Sequence, residues 1–453
     1  MRTRRDFLKR TVLAAGLTAA SLRTGPRAEG EVYSTGKEKA GHLGSARIKS
    51  AIRREETLLR PGGMGDGLHM SWARDDRQLV AVCDGTDWST HPKAFYNSRL
   101  YAMSGSPRAV AFEEVASYPD LMRFSNTAGS AFYFNFGTLA VDGRIYQFLS
   151  TFNHDIVTPD GRMAPDTRFI GAKLIYSPDG GHTWHNQDGS TPVIWERWQD
   201  RSRQNMIFFE ESQDAFSMPS ILQMGRDYTA NRDGYIYVYA PNGNADGTMN
   251  EVVMFRVLKT QVLKREAYQF FGGSNPNGSA RWTRDIEARV PLHTFPRGWV
   301  NSGSYYPFAW MPSVVYNAPL SRYLMASWGP GCGPDGTWYG KPSYLGFWVA
   351  NHPWGPWTQI HEETAWTPDR DPNSRAFSPQ ISPKWIAADG TSFWLVWSEY
   401  QPTASQKDYQ ELEEDAKHAL PFKNHDDEMR LVATLRKMQP YRSFNTQRVD
   451  LVI

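Results

Sequence analysis

The sequence is poor in cysteine, in net charge and in long apolar runs. Only Cys83 and Cys332 occur among its 453 residues. Two thiols cannot make a disulfide framework, and they leave either one pair or two buried thiols open. No run of 18 uninterrupted apolar residues follows the N-terminus, so no transmembrane span is expected. A G-x-S-x-G elbow, an H-E-x-x-H helix, a complete P-loop around Gly340 and Lys341, and a cysteine pair at zinc spacing are all missing. The esterase, zinc-peptidase and nucleotide chemistries that use them lose their markers.

What is present begins with an export signal. Thr3, Arg4, Arg5, Asp6, Phe7, Leu8 and Lys9 follow the twin-arginine pattern, and Val12 to Leu22 adds a short, weakly hydrophobic segment. Cleavage after Ala20 or Ala28 is expected, with no cysteine nearby to carry a lipid. Residues 1–28 hold six Arg and one Lys against one Asp, a net +6, so their removal takes the formal charge from +2 to −4. A mildly acidic mature chain argues against nucleic acid or an anionic membrane as partner. Periplasmic or secreted placement follows, as a monomer.

Aromatics make up 13% of the chain, with 17 Trp, 37 Gly and 29 Pro, a composition that excludes disorder, collagen and coiled coil. From Gly67 onward, short β-branched and aromatic runs alternate with Gly, Pro, Asn and Asp turns. Five segments open units of one kind: Gly67–Trp72, Gly137–Val141, Pro219–Gln223, Pro312–Asn317 and Pro379–Trp385. Each is followed by a polar turn and a second strand, at Leu79–Cys83, Ile145–Leu149, Tyr235–Tyr239, Tyr323–Ser327 and Phe393–Trp397. Third strands fit Arg99–Met103, Phe169–Tyr176, Glu251–Val257 and Tyr344–Ala350. Sheet units that cannot bury both faces alone stack radially, so an all-β, five-bladed β-propeller is predicted. The layout has 1–28 as signal, 29–60 as a strap and 61–453 as propeller. Phe444 to Ile453 is expected to close the ring as an outer strand. Gln406 to Met438 reads as a short helical insertion before that strand, and a sixth blade around Val290 to Trp299 is the rival architecture.

Ser177, Asp179, Gly181, Thr183 and Trp184 spell the S-x-D-x-G-x-T-W Asp-box hairpin, which joins third and fourth strands. Asp179 is expected to bond turn amides there, away from the functional face. That face follows from topology, because the start of a first strand meets the end of a second. Mirror positions about the first blade's turn sum to roughly 150, which sets Asp66 beside Asp84. Two carboxyl groups near the axis suit glycosidic cleavage, one protonating the leaving oxygen and one acting as base or nucleophile. The plain alternative is that both aspartates only make turns. The same construction brings Asn135, Asn153, His154 and Asp155, then Glu211, Asp214 and Asn242, then Trp310 and Trp328, then Arg375 and Glu399 to this face, with Asp87 and Trp88 in the first blade. Glu210, Glu211 and Asp214 are the rival acids, and Asn and Asp side chains near the axis leave room for a structural calcium; no cofactor is otherwise expected.

Gly234 to Pro241 (GYIYVYAP), Val252 to Val257, Ala267 to Gly272, Trp282 and Pro312 to Met325 resemble the five-bladed propeller family that includes bacterial endo-D-arabinanases. The resemblance runs through roughly residues 60 to 400. It implies an extracellular glycoside hydrolase whose first-blade acids fall on Asp66 and Asp84. The family's Gly-Asp-Thr after the second strand reads Cys83, Asp84, Gly85, Thr86, Asp87 here, which makes Asp87 a competing equivalent. Three functions remain: a glycoside hydrolase on a polysaccharide such as an arabinan-like furanoside; a polysaccharide lyase using Arg375 with Tyr306 or His154; or a non-catalytic glycan-binding propeller.

Overall fold

In the computed structural model these segments pair into five antiparallel sheets closed into a ring. The structure describes residues 47–88, 96–122, 132–153, 168–243, 250–295, 311–331, 340–400, 426–427 and 441–453. Blade 1 comprises Met64–Trp72, Gln78–Asp87, Tyr96–Ser106 and Ala109–Glu114. Blade 2 comprises Tyr133–Val141, Arg144–Phe152 and Phe169–Ser177, and its outer edge is split between His185–Asn186 and Phe208–Phe209. Blade 3 begins Ser220–Ile221, Tyr235–Pro241, Glu251–Leu258, Gln269–Ser274 and ends on Ala280–Thr283. Blade 4 comprises Ser313–Asn317, Arg322–Gly329, Ser343–Ala350 and Thr358–Trp366. In blade 5 the order is Arg375–Ile386, Ser392–Tyr400, Tyr441–Val452 and Ser50–Arg53.

Burial explains the strand order. Tyr133–Val141 is buried at every position, as an innermost strand packed between neighbouring blades must be. Ala109–Glu114, an outer strand, has no buried residue. Side chains on the inner strands then stitch blade to blade around the circle. Ala140 N donates to Ser71 Oγ (2.8 Å), Gln223 Nε2 to Thr138 O (2.9 Å) and Ser220 Oγ to Pro312 O (2.9 Å). Ile381 N donates to Ser313 Oγ (2.9 Å), and Ser382 Oγ to Gln78 Oε1 (2.6 Å) completes the circuit.

Two expectations change. The outer strand of blade 5 is Ser50–Arg53, and the segment ending at Val452 lies third, between it and Ser392–Tyr400. The ring is thus closed by the N-terminal side of the chain, pinned where Arg53 meets Glu363 of blade 4 (2.5 Å). Nor does the Val290 region make a sixth blade: His293–Thr294 pairs with Glu251–Val252 inside blade 3. The proposed helical insertion lies outside the described residues, apart from 426–427.

First strands begin, and second strands end, at one end of the ring, the mouth. The opposite, turn end carries the connections between first and second strands, of which that in blade 3 runs from 222 to 234. Its Arg226–Tyr228 turn touches the first strands of blades 1 and 2. Asp227 holds it by accepting from Arg74 Nε (2.7 Å) and Gly143 N (2.8 Å).

Candidate functional site

At the mouth, local backbone geometry departs from plain strand. In blades 1, 2 and 5 the first strand carries the same irregularity, three residues opposite two, at Asp66–His69, Phe134–Gly137 and Phe377–Gln380. Such bulges bend a strand and re-aim its side chains. Left-handed residues lie within or just before four first strands: Leu68 (φ 43°), Phe216 (φ 59°), Met311 (φ 46°) and Ser378 (φ 53°). For bulky residues that conformation costs about 1–3 kcal/mol each and persists only when the surroundings enforce it.

The blade 1 bulge decides how the two first-blade acids meet. Below it, His69 faces Ala81 and Met70 faces Val80; above it, Asp66 faces Cys83. The second strand then bulges in its turn, since Met64 faces Asp87. Asp84, at φ 48°, lies in this second bulge. Asp66 and Asp84 are therefore neighbours on adjacent strands, offset by one residue from directly opposite, and both are half-buried. Gly85 makes the close strand approach, because a Cβ there would lie 2.0 Å from the Met64 carbonyl oxygen.

Behind the acids lies a buried polar layer shared by blades 1 and 2. Asn97 Nδ2 donates to Asp84 Oδ1 (3.4 Å), and Asn97 Oδ1 accepts from Tyr133 N (2.7 Å). The Cys83 thiol donates to Asn135 Oδ1 (3.0 Å), whose Nδ2 donates to Arg99 O (3.0 Å). Cys332 lies outside the described residues. Sequence reasoning passed over Asn97, although mirroring the second strand onto the third, where Cys83 faces Ser98 and Gly85 faces Tyr96, sets it beside Asp84.

Other candidates are distributed differently. Glu211 follows Phe208–Phe209, which pairs with the third strand of blade 2, so it stands on that blade's outer edge. There it meets Arg203 (3.3 Å) and Arg265 (3.6 Å), while Asp214 holds Arg168 (2.7 Å). Asn242 Oδ1 accepts from Arg289 (2.9 Å) and its Nδ2 donates to Glu251 (2.7 Å). Glu399 is wholly buried, paired with Arg60 (3.2 Å) and accepting from Trp397 Nε1 (3.3 Å). Arg375 donates to the carbonyls of Pro372 (2.8 Å) and Ser374 (2.9 Å).

Both described tryptophan candidates are packed. Trp88 stacks on Phe112 (3.7 Å between centroids) and donates to Gly62 O (3.0 Å). Trp328 is buried beside Phe377 (6.1 Å), in an apolar cluster with Cys83, Phe132, Phe134, Phe136, Met218 and Met311. Asn153 ends the second strand of blade 2, and its Oδ1 accepts from Arg168 N (3.1 Å). His154, Asp155, Trp310 and the side chain of Asp87 lie outside the described residues.

Under the apolar cluster the first strands enclose an axial cavity of about 10 Å³, room for roughly one water. His69, Thr138, Ser220, Gln223, Ser313 and Gln380 line it. Burial pushes the His69 imidazole down to about 3, so it is neutral. Among the described residues no cluster of three His, Cys, Asp or Glu side chains could hold a metal ion.

No family model and no curated protein sequence matches this chain. Similar solved structures exist. The alpha-L-arabinofuranosidase of Podospora anserina matches with TM-score 0.38 at 10% identity, over 89% of this chain and 95% of its own. A Dyadobacter fermentans protein of unknown function matches at 0.40 and 10%, over 90% and 99%. An endo-1,4-beta-xylanase of Bacteroides thetaiotaomicron matches at 0.38 and 10%, over 78% and 94%. Likenesses of this strength carry no inference about reaction or substrate.

Proposed function

We propose that the chain is a propeller glycoside hydrolase that cleaves a polysaccharide with Asp66 and Asp84 as its carboxyl pair. The observation that supports this reading is the pair of consecutive bulges in blade 1, where Asp66 faces Cys83, the neighbour of Asp84, and both aspartates are half-buried at the mouth end of adjacent strands. In this reading one carboxyl group protonates the leaving oxygen and the other acts as base or nucleophile. The similarity to the endo-D-arabinanase propellers favours a furanoside polymer of the arabinan type. Glu211, Asp214 and Glu399 are the rival acids, each paired with arginine. Among the described candidates, Trp88 and Trp328 are packed and lend the purely glycan-binding reading no support.

Incubation with a polysaccharide panel, read by reducing ends and by ultraviolet absorbance, tests the proposal. Reducing ends without new absorbance are expected on at least one furanoside polymer. New absorbance would mean elimination, and silence across arabinans would contradict the furanoside reading. Twin-arginine export belongs to the same proposal: Arg4→Lys with Arg5→Lys should strand the protein in the cytoplasm, and undiminished periplasmic yield would refute it.

A further inference from the structure

The axial cavity lies where all five blades meet, and each blade gives it a polar side chain: His69, Thr138, Ser220 with Gln223, Ser313 and Gln380. Most of these are held by protein. Ser220 Oγ donates to Pro312 O, Gln223 Nε2 donates to Thr138 O, and Ser313 Oγ accepts from Ile381 N. Thr138 Oγ1 accepts from Gln147 Nε2 (3.2 Å). His69 Nε2 and Gln380 Nε2 are different: both are buried with no hydrogen-bond partner, in residues only 5% and 4% exposed. A polar atom cut off from water and from partners loses its hydration without return, so native interiors rarely leave one unsatisfied. Here two of them line one space of about 10 Å³, the size of a single water.

We propose that this cavity binds one water molecule, which bridges His69 of blade 1 to Gln380 of blade 5. The lining selects it. No charged side chain is among those that line the space, so an ion of either sign would be buried there without a counter-charge. Water accepts from the Gln380 amide and donates to the bare nitrogen of the neutral imidazole, a combination that neither a metal cation nor an anion can offer. The hydroxyls of Thr138 and Ser313, each accepting from a neighbour, keep a proton for a third bond, which reaches the usual complement of a buried water. Its position gives it a structural task. His69 closes the blade 1 bulge and Gln380 closes the blade 5 bulge, and Ser378 Oγ already donates to Gly67 O between them (3.3 Å). The water is a further tie across the seam where the first and last blades meet, whatever reaction the mouth performs.

A high-resolution crystal structure of the native protein, grown with bromide and calcium present and recorded with anomalous data, tests this. One peak without anomalous signal is expected, at hydrogen-bond distance, roughly 2.7–3.2 Å, from both His69 Nε2 and Gln380 Nε2. An anomalous peak would put a heavy ion there, contacts well below that range would mean a small cation, and an empty cavity would mean a dry site; each result overturns the proposal. In solution, oxygen-17 relaxation dispersion counts long-lived internal waters. The double variant His69→Phe with Gln380→Leu, which lacks both unpartnered atoms, should hold one water fewer than the native protein, and an equal count would contradict the bridge. Should that variant not fold, the native crystal structure decides alone.

Discussion

The two ends of the propeller turn the same strands by opposite means. At the turn end, reversals use residues that tolerate left-handed backbone, such as Asp76, Asp142, Gly143, Gly180 and Gly390. Asp179 typifies them, accepting from His182 N (3.0 Å), Thr183 N (2.9 Å), Thr183 Oγ1 (2.8 Å) and Ser177 Oγ (2.8 Å). At the mouth the same conformation is forced on Leu68, Phe216 and Met311. Among the described residues, Tyr228, in the turn that meets blades 1 and 2, is the one comparably bulky case at the other end. Turn-end geometry is thus largely what its residues prefer locally, whereas the mouth adds to its permissive Gly62, Gly63, Gly65 and Gly67 a conformation that packing imposes on bulky residues. Imposed strain gathers where chain must be aimed at something.

That contrast sets the order of expected effects. Largest, replacing Asp66 or Asp84 by Asn should lower hydrolysis by on the order of 10² to 10⁴, the usual contribution of one acid or base, with little change in thermal midpoint. Next, Gly85→Ala at the mouth should destabilise by about 2–3 kcal/mol and abolish activity, since its Cβ would collide with Met64 O. Gly234→Ala at the turn end has open space around the new methyl and a φ of 77°. It should cost only the left-handed penalty, about 1 kcal/mol, and leave activity intact. Chemical denaturation alongside the reducing-end assay separates the two glycines. Smaller again, Asp179→Ala should lower the thermal midpoint by a few degrees at unchanged rate.

The smallest expected effect is on pH dependence. Burial raises the Glu363 carboxyl, but bonds from His361 and Arg53 win and hold it at about 2. Burial likewise opposes, and hydrogen bonds led by Thr183 outweigh, at Asp179, also held at about 2. Both groups are depressed in the folded state. Their stabilisation is therefore complete above the ordinary carboxylate range and fades as pH falls from about 4.5 toward 2. Midpoints measured across that window should flatten in Glu363→Gln, and an unchanged acid limb would count against Arg53 as the clasp of the ring.

Legibility in the sequence follows the same divide. Short apolar runs bounded by turn residues mark all five hairpins, from Gly67–Trp72 to Phe393–Trp397, because strands buried on both faces are written locally as continuous apolar segments. Bulges are not: Asp66 slips from opposite Asp84 to opposite Cys83 through positive-φ backbone at Gly62, Gly63, Gly65, Gly67 and Leu68, where glycine permits the conformation but does not fix which residues pair. Glu211 and Asp214 read as blade 3 residues because the outer edge of blade 2 is in two pieces; they follow its second piece, Phe208–Phe209, and Arg289 ties the Ser212 carbonyl to Asn242 of blade 3. Ser50–Arg53 pairs with residues some 400 positions away, a contact beyond any local pattern.

Hydrolysis rates of Asp84→Asn and Asp179→Asn, taken together on the polysaccharide that the panel selects, test the central claim most directly. The mouth variant should lose at least about a hundredfold and the turn-end variant nothing. Near wild-type rates in both Asp66→Asn and Asp84→Asn, with Glu211→Gln or Asp214→Asn inactive, would contradict the account and move the chemistry to the outer edge of blade 2.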